Sequence, residues 1–431
     1  MIGRDHRRDQ RGPRVAYRAS VLTPARAAPG QDALRFLPDA LVVVDTEGRI
    51  ESVRDAAAAP FDGFVHDLSG SLVVPAFVDA HLHFPQTRVI GSASGPLLDW
   101  LSSTVFPEEA RFMDSAYAAA VAEEFVQRCA AVGTGTIGAF SSSSASATAV
   151  LFETLLARGL RGVVGLTLMD ERCPDALRVP ADRALGEARE LCDRFQDADD
   201  GRVAFAVTPR FAISCSEALM RGAGELANER GLVVQTHVAE NEREGAETLE
   251  LFPWAKDYLD VYDQLGLLGP RTLLAHAIHL SRAEWDRVAE RGAAIVHCPD
   301  SNFFLGSGRM RFAEATARGV RVALGSDVAA GRTFDIRRAI GHAYDNALAL
   351  GAPRTLDELF RAATLGGAEA LGWADKTGSI EVGKEADFAV LALPRWMDRT
   401  SRKEALRAAC FGSEFAPVRR TYVRGRLIYR A

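Results

Sequence analysis

The stretch Leu72-Val73-Val74-Pro75-Ala76-Phe77-Val78-Asp79-Ala80-His81-Leu82-His83 constrains this chain more than any other. It is an apolar run that ends in His-x-His. A short apolar run bounded by turn signals reads as a buried strand, the kind found in a parallel sheet. Side chains alternate along a strand, so His81 and His83 point to the same side. Two imidazoles on one side at the end of a buried strand make half of a divalent metal site. The plain alternative is a pair of hydrogen-bonded structural histidines. The choice rests on whether the rest of the chain brings further ligands to the same place.

Short apolar strands separated by helical stretches follow, which implies βα units around a parallel sheet. After the opening run come Gly135–Ala139, Arg161–Leu168, Val203–Thr208 and Leu232–His237. Thr272–His276, Ala294–His297 and Val322–Ser326 complete a set of eight. Ser115–Val132 and Ser216–Arg230 are among the helical candidates between them. The expectation is an α/β chain with a (β/α)₈ TIM-like barrel over residues 72–375. Residues 15–71 and 376–431 read as short strands and turns. Ala40–Asp45 runs into the turn Thr46-Glu47-Gly48-Arg49, Ala386–Leu391 is one strand, and Thr421–Tyr429 reads as two around Gly425. Both chain ends are expected to combine into one small β-sandwich, with residues 1–14 as a disordered tail.

With 431 residues, 48% of them hydrophobic, the chain supports a barrel and a smaller companion. A net charge of −6 argues against nucleic acid or an anionic membrane as partner. The six cysteines form no C-x-x-C pair and read as free thiols in a reducing compartment. The Arg-rich start, Met1 to Arg14, lacks the apolar core of a secretory signal. No run approaches the roughly 18 apolar residues of a membrane span. The chain is therefore expected in the cytoplasm.

In a (β/α)₈ barrel the active site lies where the strands end at their C-termini. Strand five ends in Thr236-His237-Val238-Ala239-Glu240, strand six in Ala275-His276, and strand eight in Ser326-Asp327. With His81 and His83 these give four histidines and one carboxylate on one rim. Such a set suits Zn²⁺, and Fe²⁺ also fits. His297 on strand seven reads as a packing or loop-orienting residue. His6, His66 and His342 carry no motif. Cys215 reads as helix-start chemistry with Ser- or Thr-like capping. Ser141–Ser144 reads as a loop after strand two.

The passages His81-Leu82-His83-Phe84-Pro85-Gln86, Pro96-Leu97-Leu98-Asp99-Trp100-Leu101 with Phe106-Pro107, and Thr208-Pro209-Arg210-Phe211 carry a resemblance. So do His237-Val238-Ala239-Glu240-Asn241, His297-Cys298-Pro299-Asp300-Ser301-Asn302 and Gly325-Ser326-Asp327-Val328. The chain resembles the amidohydrolase superfamily of metal-dependent hydrolases and, within it, the guanine deaminase family. Ser326 and Ala330 stand where that family commonly has Thr and Gly, at positions that carry no chemistry. Many superfamily members hold two metals bridged by a carboxylated lysine from strand four. This chain has no lysine before Lys256, so one metal per chain is expected. The H-x-E with P-C-x-x-C pattern of the other zinc deaminase scaffold is absent.

The resemblance implies hydrolysis of guanine to xanthine and ammonia. A relative acting on oxidised guanine, a pterin or a triazine is the alternative, and a non-catalytic scaffold a remoter one. His81, His83, His237, His276 and Asp327 are the expected metal ligands, with His276 open to a second role as a hydrogen-bond donor to the nucleophile. Asp327 is expected to take the water's proton, and Glu240 to protonate a ring nitrogen and then the departing amine. Gln86, Arg210, Phe211 and His237 are expected against the purine, with Trp100 and Leu101 as walls. Arg210 offers only donors and so demands an acceptor, whereas Gln86 both donates and accepts. His279 is expected to orient neighbours. The resemblance also implies a homodimer.

Overall fold

The computed structural model describes residues 13–25, 34–58, 60–92 and 95–431. Residues 1–12 of the expected tail, His6 among them, lie outside the described residues. The barrel forms as expected. Its eight parallel strands are Phe77–His83, Thr134–Phe140, Arg161–Gly165, Val203–Pro209, Val233–Val238, Thr272–His276, Ala294–His297 and Arg321–Leu324. They neighbour one another in chain order, and a two-residue strand, Thr167–Leu168, adds to the side of the fourth. The last strand closes on the first through its exit loop. The Asp327 amide donates to the His81 carbonyl (2.9 Å) and the His83 amide to the Val328 carbonyl (3.0 Å). No helix among the described residues is long and apolar enough to cross a membrane.

The chain ends meet in one seven-stranded sheet. Its order is Arg426–Arg430, Val418–Val423, Phe388–Ala392, Phe64–Pro75, Val15–Pro24, Leu34–Val44, Ile50–Asp55. The Asp45 carboxylate builds the turn between its last two strands, accepting the amides of Glu47 and Arg49 at 2.8 Å. Gly48 supplies the left-handed residue there (φ 80°).

The opening apolar run is two strands, where one was expected. Leu72–Pro75 pairs antiparallel with Phe388–Leu391, and Leu72 and Val73 pair parallel with Ser20 and Val21. Phe77–His83 starts the barrel. The switch falls between two successive amides: Ala76 donates to Asp387 in the end sheet (3.1 Å) and Phe77 to Gly133 beside the second barrel strand (2.9 Å). Both sheets bury the chain here, so hydrophobicity runs on unbroken across the change of partner. The expected third strand is likewise interrupted after Gly165, and the eighth stops at Leu324, leaving Gly325–Asp327 in the exit loop. The cap of the helix Glu217–Arg230 is Ser216, not Cys215. The Ser216 hydroxyl accepts the Leu219 amide, while the Cys215 thiol donates to the Leu168 carbonyl. Ser144, in the serine run, caps the helix Ala145–Arg158.

One buried cation ties the two units together. Arg161, at the start of the third barrel strand, is fully buried. Its guanidinium donates to Asp387 (3.0 Å) and pairs with Glu385, and Glu385 also accepts from Arg424 (2.8 Å). Removing one partner of such a pair strands a buried charge, at ~3–5 kcal/mol. Arg161→Met is expected to lower unfolding free energy by about that amount in urea denaturation. A loss under ~1 kcal/mol would show that the junction does not depend on this contact.

Candidate active site

The rim at the C-terminal ends of the barrel strands gathers the expected ligands. His81 and His83 end the first strand, His237 is the next-to-last residue of the fifth, and His276 ends the sixth. Asp327 follows the eighth. The Asp327 Oδ1 atom lies 3.2 Å from the Nε2 atoms of both His81 and His83, and its Oδ2 is 3.7 Å from His276 Nε2. His237 Nε2 lies 3.2 Å from His83 Nε2. All five residues are buried. Gly325 permits this crowding, because a Cβ there would sit 2.8 Å from the His81 Cβ and 2.9 Å from the Cys298 sulfur. Ala239, His276, Ala277 and Asp327 all hold left-handed backbone conformations (φ 47°, 70°, 51° and 51°). Strain of this kind persists where surrounding structure enforces it, typically around functional groups.

The protonation pattern follows from burial. Burial drives the His83 imidazole down to about 4, outweighing the neighbouring Asp327 carboxylate. The same cause lowers His81 and takes His237 well below the usual range. Burial alone would raise the Asp327 carboxyl, but the His81 and His83 imidazoles against it hold it well below the ordinary carboxylate range. Two rings are oriented from behind. His237 Nδ1–H donates to the Arg210 carbonyl (2.6 Å) and His276 Nδ1–H to Asn302 Oδ1 (2.9 Å). That fixes each tautomer and leaves Nε2 as a lone pair facing the cluster. The Nε2 atoms of His81 and His276 have no hydrogen-bond partner. Imidazole nitrogens converging on a carboxylate fit a divalent cation that takes nitrogen and oxygen ligands. The Cys298 thiol also lies within reach of His81, His276 and Asp327. Burial, then the nearby carboxylates, push its pKa well above the ordinary thiol value. His297 belongs to neither group of ligand atoms within 4.8 Å of one another.

A pocket opens beside this cluster. Gln86, Trp100, Leu101, Arg210 and Phe211 line it, as do His237 and Glu240. The Glu240 carboxyl sits 3.4 Å from His276 Nε2 and accepts from the Ser307 hydroxyl (3.1 Å). Burial, then the charge of Asp327, push it up to about 8. His279 hydrogen-bonds the Ser307 carbonyl (2.8 Å), so it reaches Glu240 through that serine. Arg210 is buried, with its guanidinium over the Phe106 ring at 5.2 Å.

Sequence reasoning passed over two carboxylates at this pocket. Glu109 pairs with Arg210 (2.6 Å) and accepts from Gln86 Nε2 (3.1 Å). Glu244 accepts the amides of Glu240 (2.9 Å) and Asn241 (3.1 Å), and Tyr258 donates its hydroxyl to it (2.5 Å). Glu244 completes a capping box with Asn241. The Asn-x-x-Glu spacing was the available signal for it. Glu109 had only its place beside Phe106-Pro107.

The sequence profile of the amidohydrolase family matches residues 72–428. The chain is 34% identical to the guanine deaminase of Escherichia coli (strain K12) over 441 aligned positions, covering 100% of this chain and 99% of that protein. The solved structure of E. coli guanine deaminase superposes with a TM-score of 0.91, covering 96% of this chain and 99% of the other. A guanine deaminase from C. acetobutylicum, with guanine bound in its active site, is 30% identical with a TM-score of 0.88, covering 96% and 100%. An adenosine deaminase from Xanthomonas campestris with bound zinc is 27% identical with a TM-score of 0.82, covering 96% and 92%.

The back-side bond to His276 gives the site's first test. Loss of such an orienting partner costs ~10–100-fold in metal affinity. Asn302→Leu is expected to lose a divalent ion to a competing chelator that much more readily than the parent. Equal retention in the two proteins would remove Asn302 from the support of the site.

Proposed function

The chain belongs to the amidohydrolase family, and we infer that its site hydrolyses guanine to xanthine and ammonia. The observation that carries this is the pairing of the histidine–aspartate rim with a buried wall of donors, Arg210 and Gln86, in one pocket. Guanine carries its reacting amino group at C2 and an acceptor, O6, across the ring. Donors that hold O6 leave C2 facing the rim. Adenine would set its own amino group against Arg210, and a buried guanidinium without an acceptor is costly.

The residues divide the work by position. His81, His83, His237, His276 and Asp327 would hold the ion. We take it to be one Zn²⁺ per chain, because nitrogen and oxygen donors suit it and no lysine precedes Lys256 to bridge a second. Fe²⁺ fits the same donors. A divalent ion supplies water acidified toward pKa ~7 as nucleophile. Asp327 accepts a proton of the attacking water. Glu240, 3.4 Å from His276 Nε2, protonates a ring nitrogen as the C2–O bond forms. Glu240 then takes the proton of the new C2 hydroxyl and gives it to the amino group as the C2–N bond breaks and ammonia departs, and the proton held by Asp327 restores Glu240. Phe211 offers a face for the flat ring, while Trp100 and Leu101 exclude water. The six buried free thiols fit the cytoplasm, and the family likeness implies a homodimer.

Ammonia release from a panel of purines, pyrimidines and pterins tests the assignment. Guanine is expected to give xanthine while adenine and cytosine stay inert, and adenine reacting as fast as guanine would refute it. Replacing Glu240 by Gln removes the proton carrier and keeps the shape. A kcat loss of ~10²–10⁴-fold with metal content unchanged is expected, and near-normal kcat would reduce Glu240 to a wall residue.

A further inference from the structure

Glu109 is a carboxylate on the short helix Phe106–Ala110, buried to 4% exposure. Its two oxygens face two different side chains. Oε2 takes Arg210 Nη1 at 2.6 Å, and Oε1 takes Gln86 Nε2 at 3.1 Å. The other end of the Gln86 amide is also committed. Gln86 Oε1 accepts the Ala329 amide at 3.2 Å. These two bonds admit one orientation of Gln86. The opposite flip would set its oxygen against a carboxylate and its NH₂ against an N–H, which is two repulsions in place of two bonds. What remains for the pocket is the second N–H of Gln86 beside the N–H groups of Arg210. Read by itself, a glutamine offers a donor and an acceptor. Held by Glu109, this one offers a donor.

We propose that Glu109 is a positioning residue that sets specificity: by locking Gln86 and holding Arg210 it makes the recognition wall donor-only, so that the wall takes a heterocycle edge bearing two adjacent acceptors. On the guanine reading, on which this rests, that edge is O6 and N7. An N–H at position 7 meets a donor and is rejected, although the reacting C2 amino group is the same. A staple for the fold would not need this arrangement. A buried ion pair is often no more stabilising than apolar residues of similar volume, and neutralising Arg210 alone would not require the second oxygen on Gln86. The pair also leaves the wall without net charge, which suits a neutral base.

The experiment compares guanine with 9-deazaguanine, which carries N–H in place of the N7 acceptor, using the metal-loaded full chain and its Glu109→Gln variant. The parent is expected to favour guanine by ~10²-fold or more in kcat/KM, because sites built on hydrogen bonds reject analogues that leave buried groups unpaired. In the variant one amide oxygen must serve two donors, and Gln86 is free to turn. Guanine is expected to lose ~10–100-fold, chiefly in KM, and the preference to narrow by about tenfold, with metal content unchanged. A parent that deaminates both bases equally overturns the proposal, as does a variant that keeps the full preference whatever its activity. Should the variant fail to fold, the parent's ratio alone decides. A parent that releases no ammonia from guanine overturns the proposed reaction and this inference with it, whereas the other outcomes leave that reaction standing.

Discussion

The crowding of four imidazoles and a carboxylate onto one dry rim is the constraint from which this molecule is organised. Four imidazoles and an ionised carboxylate crowd one rim, with contacts of 3.2 Å between the ring nitrogens of His83 and His237 and between Asp327 and each of His81 and His83. Donor atoms crowded this closely in a dry site are unfavourable unless a cation draws them together. The surrounding structure absorbs this cost in its backbone. His276 and Asp327 take left-handed conformations, Gly325 gives up its Cβ, and Arg210 and Asn302 turn two rings from behind.

The same residues connect the rim to the proposed recognition wall. Arg210 fixes His237 with its carbonyl while its guanidinium pairs with Glu109. Gln86 follows His83 by three residues and meets the loop beyond Asp327 through the Ala329 amide. On the proposed reading, a base held by this wall is thereby held in fixed relation to the rim. That placement lets a modest set of hydrogen bonds act on rate as well as affinity.

Much of this was legible in the chain. The barrel order and the convergence of His81, His83, His237, His276 and Asp327 could be read because each ligand sits at or near the end of a short apolar strand. Strand periodicity locates strand ends well. Partnership is what it cannot carry. The change of sheets at Ala76 lies inside an unbroken apolar run, since both sheets bury the chain there. Glu109 is 101 residues from Arg210 and 23 from Gln86, and only the folded wall brings them together. Cys298 was visible as part of a motif, but its closeness to the ligands depends on neighbouring strands. The partners of Gln86 are hidden for a related reason: its amide donates to Glu109 and accepts from Ala329, neither of which is adjacent in sequence.

The most direct test of the account is a titration of metal-free protein with Zn²⁺, following xanthine formation from guanine after each addition. One ion per chain, held by this single cluster, should give activity that rises linearly and breaks at one equivalent. A break at two equivalents, or full turnover in the stripped protein, would contradict it.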